Sequence, residues 1–276
     1  MNKLQSIAGM SALTASSATW AEYGLNMTPG VTEFSKLAYG LHMQVLWICV
    51  AIGVLVFGVM IYSMVKHRKS RGVKPAQFSH STTAEIVWTI IPILILVYMA
   101  WPATSALVTM EAPKAKADLI VKITGFQWRW RYDYLNEGVG FISSLDADSN
   151  RVRQLKSGED PAQVENYLLD VDKPLVLPVG KQIKFLLTAD DVIHAWWVPA
   201  LGWKRDAIPG FVNEAWTKIE KPGIYRGQCA ELCGRDHGFM PIVVKAVTPE
   251  EFELWLAEQK KAAVAGQGIQ TIADQS

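Results

Sequence analysis

Fifteen residues, GQCAELCGRDHGFMP from Gly227 to Pro241, gather two cysteines, a histidine, a methionine and a glutamate. Three chemistries suit such a cluster. Cys229 and Cys233 could close a disulfide, but the loop is small, its entropic benefit modest, and His237 and Met240 would be left without a role. Two cysteines and two histidines could hold tetrahedral zinc, which has no use for a thioether. Copper uses the whole set, because thiolate and thioether are soft ligands and imidazole suits the same metal. A mononuclear blue-copper site takes one Cys, two His and a weak Met, and a second cysteine stands here four residues on. Two bridging thiolates with one terminal imidazole per metal would make a compact two-copper centre that spreads one electron over both metals. Such a centre relays electrons and leaves no open position for a substrate.

A second histidine is needed, and the chain offers few. His42, His67 and His80 lie at or between two long apolar runs; only His194, in DVIHAWWVP, shares the C-terminal half with His237. The third cysteine, Cys49, falls inside the first apolar run and reads as inert packing.

The apolar runs set the frame. Leu37 to Val65 and Ile86 to Met110 contain no Asp, Glu, Lys or Arg, and each exceeds the roughly 20 residues needed to cross a bilayer. Pro92 and Pro102 would break a helix in water, whereas neighbouring groups re-satisfy the freed carbonyls in a membrane. Between the runs stand Lys66, Arg68, Lys69, Arg71 and Lys74 with no acid, which places this loop in the cytoplasm and both termini outside. The metal-type cluster then faces the periplasm or its equivalent. A formal charge of +1 over 276 residues argues against a nucleic-acid binder, and three cysteines make no disulfide framework.

Four segments follow: an N-terminal arm or cleavable signal at 1–36, a membrane hairpin at 37–110 with spans near 37–66 and 84–110, an all-β domain at 118–248, and a C-terminal helix and loose tail at 249–276. The β-domain reads from short β-prone runs (LVLPV, KQIKFLLTAD, HAWWVP, AWTKIE, GIYRG, PIVVKAV) separated by turn residues. In DLIVKITGFQWRWRYDY the apolar phase shifts near Gly125, which predicts a bulged strand. Thr248, Pro249 and Glu251 predict a capped helix start, with Phe252, Trp255 and Leu256 on one face.

With these residues in view, the chain resembles subunit II of haem–copper cytochrome c oxidase, of the bacterial, CuA-containing type. The resemblance covers nearly the whole chain: EIVWTIIP opening the second span, GFQWRW, DVIHAW, the K-x-D-A-I-P-G stretch (Lys204 to Gly210) and the metal loop. It implies a helical hairpin followed by a cupredoxin-like Greek-key barrel. It also implies a binuclear copper centre held by His194, Cys229, Cys233, His237, Met240 and the backbone carbonyl of Glu231, with the cysteines bridging. The Glu231 carboxylate would point to a magnesium shared with subunit I; the plainer reading is a solvated loop carboxylate. Trp128 would be the electron entry point from cytochrome c, and simple alternation would instead bury it beside Trp130. Docking of a basic cytochrome c would use acids, with Asp133 and Asp191 at matching positions and Asp190 a weaker match. The stretch 135–172 adds Glu137, Asp146, Asp148, Glu159, Asp160, Glu165, Asp170 and Asp172 against Arg151, Arg153 and Lys156. Glu85, at the cytoplasmic start of the second span, would mark a proton-channel mouth; ordinarily such a residue is merely favoured by the helix dipole.

The function implied is electron entry into a proton-pumping oxidase of the bacterial inner membrane, with haems in subunit I, subunit III as a further partner, and an external cytochrome c as donor, since the chain has no C-x-x-C-H. A quinol-oxidase subunit would share the fold but lack the copper ligands. A free periplasmic copper carrier would not need two spans, and a structural membrane protein with a zinc or disulfide clip is the remaining alternative.

Overall fold

The computed structural model describes residues 26–74, 76–111 and 116–273, with side chains as far as residue 262. Most of the arm or signal expected at 1–36 lies outside the described residues. Two long helices come first, α1 (Glu33–Lys66) and α2 (Thr82–Glu111). Their apolar side chains are largely exposed along the shafts, the surface of helices that face lipid. α2 runs unbroken through Pro92 and Pro102.

α1 begins earlier than its apolar run because of its cap. Thr32 Oγ1 accepts from Ser35 N at 3.1 Å, and Ser35 Oγ accepts from Thr32 N at 2.9 Å, a reciprocal capping box. This cap is set into the β-domain. The Thr32 hydroxyl donates to Leu201 O at 2.8 Å, Glu220 N donates to Val31 O at 3.0 Å, and Lys36 pairs with Glu220. Gly202, at φ +83°, allows the contact: a Cβ there would overlap the Ser35 backbone. At the far end of α2, Glu111 pairs with Arg205 at 2.7 Å. The hairpin is therefore fastened to the β-domain at two points, with the basic turn at its opposite end.

Among the described residues, ten strands make two five-stranded sheets, ordered β3-β2-β1-β5-β8 and β4-β10-β9-β6-β7. They are β1 (Leu119–Phe126), β2 (Arg129–Tyr134), β3 (Val139–Ser143), β4 (Leu175–Pro178), β5 (Ile183–Ala189), β6 (His194–Val198), β7 (Trp203–Ala207), β8 (Asn213–Thr217), β9 (Gly223–Cys229) and β10 (Pro241–Val247). β1–β5 and β4–β10 pair in parallel and the other pairs are antiparallel. The result is a cupredoxin-like β-domain behind a helical hairpin. Alternation builds its core: in β5, Ile183, Phe185, Leu187 and Ala189 are buried while the residues between are not, as the two-residue period demands. Trp196 stacks on Trp203 with centroids 5.1 Å apart, and Phe185 packs on both.

Three sequence expectations change. The phase shift at Gly125 is a two-residue turn, not a bulge: Phe126 faces Arg129 in the β1–β2 register, leaving Gln127 and Trp128 at the tip. The stretch 135–172 is not a plain loop, since it contains β3 and a short helix α3 (Ala147–Val152) capped by Asp146. The C-terminal helix α4 runs Pro249–Ala273, through part of what composition reads as a tail. Its start is as expected, with Glu251 Oε2 accepting from Thr248 N at 3.0 Å and Thr248 Oγ1 accepting from Glu251 N at 3.3 Å.

Candidate metal centre

Four segments meet at one end of the β-domain: the β1–β2 turn, the loop before β6, the end of β9, and the loop 230–240 that returns into β10. The last loop is closed at its neck. Cys229 N donates to Met240 O at 3.0 Å, and Ala230 N donates to Ala195 O at 2.9 Å. Cys229 therefore ends one strand while Met240 precedes the next, and the residues between fold into a compact loop with a 3-10 turn at His237–Phe239.

This neck gathers the donors. His194, Cys229, Cys233 and Met240 are buried and His237 is half-buried. The Cys229 and Cys233 sulfurs stand 3.8 Å apart and unlinked, far beyond the roughly 2.05 Å of a disulfide. His194 Nδ1 lies 3.9 Å from the Cys229 sulfur, and His237 Nδ1 lies 3.5 Å from that of Cys233. The ligand atoms of His194, Cys229 and Cys233 all fall within 4.8 Å of one another. Metal–thiolate bonds of about 2.3 Å bridge a sulfur pair so spaced. The Glu231 carbonyl oxygen is 3.4 Å from the Cys229 sulfur, so donor set and spacing both suit copper.

The electrostatics are uneven. Burial would raise the Cys229 thiol, but hydrogen bonds with His194 and with the backbone of Glu231 and Ala195 outweigh it and bring it down to about 7. Cys233 is pushed up to about 12, by burial first and then by the charge of Cys229. Thiolates, not thiols, bind metal, so a cation that binds here releases protons from the pair.

Around the donors sits an orienting layer. His194 Nε2 bonds Asp191 Oδ1 at 2.9 Å, which leaves Nδ1 for the sulfur side, as carboxylate partners of metal-binding histidines do. Asp191 also accepts from Gln127 N at 2.7 Å and Val192 N at 2.6 Å. Burial would raise its pKa, and these bonds lower it instead. For His194 burial acts downward, but bonds to Cys229 and Asp191 raise it. Gly125 lies against the imidazole, where a Cβ would stand 2.9 Å from the ring.

Trp128 is brought to the cluster by its place in the turn, free of the strand alternation that buries Trp130. Its Nε1 donates to Cys233 O at 3.1 Å, and Gln127 Nε2 donates to the same oxygen at 3.0 Å. Arg235 lies over the Trp128 ring at 5.5 Å. Glu231 is half-buried in the metal loop, and its carboxylate forms no ion pair among the described residues. Asp133 pairs with Arg131 at 3.1 Å on the outer face of β2. Glu85 lies in the first turn of α2, at the end of the hairpin away from the β-domain. Sequence reasoning missed the roles of Gln127 and Gly125 and the Asp191–His194 bond; the three-residue spacing in DVIH was the available signal for the last.

Two family models match the chain: cytochrome c oxidase subunit II, transmembrane domain, over residues 19–105, and cytochrome c oxidase subunit II, periplasmic domain, over 119–247. A probable cytochrome c oxidase subunit 2 of Rickettsia bellii (strain RML369-C) is 39% identical, the alignment covering 91% of this chain and 89% of the relative. Cytochrome c oxidase subunit 2 of Cereibacter sphaeroides is 35% identical, covering 92% and 89%. The solved periplasmic domain of cytochrome oxidase subunit II (CoxB) of Bradyrhizobium japonicum is 44% identical, with a TM-score of 0.45 over 53% of this chain and 96% of that one. Apolar hairpin, β-domain, buried thiol–imidazole cluster and the family matches agree: the chain belongs to the cytochrome c oxidase subunit II family, a membrane component of a haem–copper oxidoreductase that pairs with subunit I.

Proposed function

We propose that the cluster holds a binuclear copper centre, CuA, bridged by Cys229 and Cys233, with His194 and His237 as terminal ligands and with Met240 and the Glu231 carbonyl as weaker donors. The observation that carries this reading is the pair of buried, unlinked thiols 3.8 Å apart, each with an imidazole nitrogen within 3.9 Å. Once bound, the centre would accept single electrons from cytochrome c and pass them to haem in subunit I, where oxygen is reduced to water.

The chain's own residues prepare that step. Asp191 fixes the His194 ring, so the nitrogen aimed at the metal is set beforehand. The buried setting keeps water off the sulfurs. Trp128, tethered to the Cys233 carbonyl, serves as the entry point: its ring is partly open to a partner while its nitrogen touches the backbone of a ligand residue. Glu231 would supply a carboxylate to a magnesium shared with subunit I. Glu85 stands at the cytoplasmic mouth of a proton channel into subunit I, in a complex that pumps protons and includes subunit III. The basic turn between the spans supports a bacterial inner-membrane topology with both termini and the copper domain in the periplasm.

The full chain in detergent, loaded with copper, is expected to bind two coppers per chain and give a mixed-valence paramagnetic spectrum; one zinc or a single blue copper sinks the proposal. Trp128→Phe keeps an aromatic ring and leaves Gln127 on the Cys233 carbonyl. It is expected to slow reduction by cytochrome c while both coppers stay bound. Loss of copper would make Trp128 a structural residue instead.

A further inference from the structure

His194 has a carboxylate on its far nitrogen and His237 does not. Among the described residues the His237 ring bonds through Nδ1 alone, toward the Cys233 sulfur at 3.5 Å. Its aim must therefore come from the short piece of chain that carries it. That piece is the 3-10 turn His237–Phe239, with Asp236 before it and Met240 after it. His237 N donates to Gly234 O at 3.2 Å, and Phe239 N donates to Asp236 O at 2.9 Å. Turns of this kind have poor internal hydrogen-bond geometry, so an outside hold matters.

One side chain grips the turn on both flanks. Arg153 pairs with the Asp236 carboxylate at 3.7 Å, and both side chains are largely buried. Its guanidinium carbon also lies 4.4 Å over the Phe239 ring. The Asp236 side chain caps no helix, and its other cation, Arg235, is largely exposed. Asn150 Oδ1 accepts from Arg153 Nε at 2.9 Å, which aims the guanidinium at the turn. His237 lies between the two gripped residues, and Met240 directly follows the second.

Arg153 is itself firmly seated. It closes α3, donating its N to Ser149 O at 3.0 Å, and Ser149 and Val152 of that helix are buried. The Ser149 hydroxyl accepts from Leu168 N at 3.0 Å. Asp146 N donates to Asp170 O at 3.2 Å, and Asp170 pairs with Arg226 of β9 at 3.1 Å. Helix α3 is thus tied to the strand that ends in Cys229.

We infer that Arg153 is a positioning residue of the metal centre: reaching from the segment 135–172, it clamps Asp236 and Phe239 and so sets the His237 imidazole and the Met240 thioether. The inference rests on the reading of those two residues as copper ligands. Arginine suits the role because one flat group offers its edge to a carboxylate and its face to an aromatic ring. It does for His237 what Asp191 does for His194, through the backbone instead of a ring nitrogen.

The full chain in detergent, loaded with copper, tests this with Arg153→Gln, Arg153→Lys and Arg151→Gln. Arg151 belongs to the same helix and carries the same charge, but it pairs with Asp148 and Glu159. In competition with a chelator, Arg153→Gln is expected to hold copper about tenfold more weakly, within the usual cost of losing an outer partner of a ligand. Its paramagnetic spectrum should change as the imidazole turns. Arg153→Lys keeps a cation for both contacts and should lie between, while Arg151→Gln should match the wild type. Phe239→Leu removes one grip from the side of the turn, and should change the spectrum even if Arg153→Gln fails to fold. Combined with Arg153→Gln it should cost less than the two losses together. Thermal unfolding of the copper-free variants separates support from positioning. A lower midpoint with unaltered affinity and spectrum would make Arg153 a mere strut of α3 and overturn the inference. An equal loss in Arg151→Gln would do so too, by assigning the effect to charge alone. If the wild-type chain itself takes up no copper pair, the copper reading falls and this inference with it. If it loads and the Arg153 and Phe239 variants match it, only the role of Arg153 falls.

Discussion

Gly125→Val is expected to abolish copper loading while leaving the β-domain folded. A Cβ at this position would stand 2.9 to 3.1 Å from three atoms of the His194 side chain, well inside the roughly 3.5–4.0 Å of ordinary carbon contact. Gly125 is held by strands on both sides, opposite Trp130 in β2 and Ala189 in β5, so the backbone has little room to retreat. The ring must give way instead, and with it the alignment of Nδ1 on the Cys229 sulfur and of Nε2 on Asp191. Overpacking of this kind costs about 1–3 kcal/mol, which a domain of this size can survive. Copper stoichiometry and the thermal unfolding of the metal-free chain check it together. Full loading with an unaltered spectrum would show that the strand moves and the imidazole does not.

Gly202→Val is expected to act on the other end of the β-domain. It combines two penalties: φ +83° disfavours a β-branched residue, and its Cβ would overlap Ser35 backbone. The left-handed conformation alone costs about 1–2 kcal/mol, and neither obstacle is the flexible tip of a side chain. The capping box of α1 should lift off Leu201. Hydrogen exchange at the amides of Val31, Thr32 and Glu220 should rise by a factor of about ten or more, since each 1.4 kcal/mol is about tenfold. The copper cluster, built from the opposite loops, should keep its spectrum. Unchanged exchange would mean that Gly202 is not what admits the helix cap.

The parts of this molecule that sequence made legible are those governed by a local period. Charge-free runs of membrane length read as α1 and α2, and alternation in KQIKFLLTAD reads as β5. The ligand cluster was legible because Cys229, Cys233, His237 and Met240 all fall in one short stretch of chain. What escaped depends on contacts between distant segments. The Gln127–Trp128 turn looks like a continuous strand because both flanks are apolar on alternate positions; only pairing reveals the reversal. β3 carries Gly140 where a β-branched residue would be expected, and that glycine leaves space filled by the Asp133 carboxylate. The strand Trp203–Ala207 overlaps the K-x-D-A-I-P-G stretch, whose charged residues do not alternate with apolar ones.

The double attachment of hairpin to β-domain bears on protein engineering. A soluble fragment trimmed to residue 117 would lose Val31 to Ser35 and with them the contacts at Leu201, Gly202 and Glu220. The Leu201 carbonyl that now receives the Thr32 hydroxyl would then face solvent in the notch left behind. A graft that brings residues 26–36 back across Gly202, through a short designed loop into β1, would seal the notch and yield a water-soluble domain with its own lid.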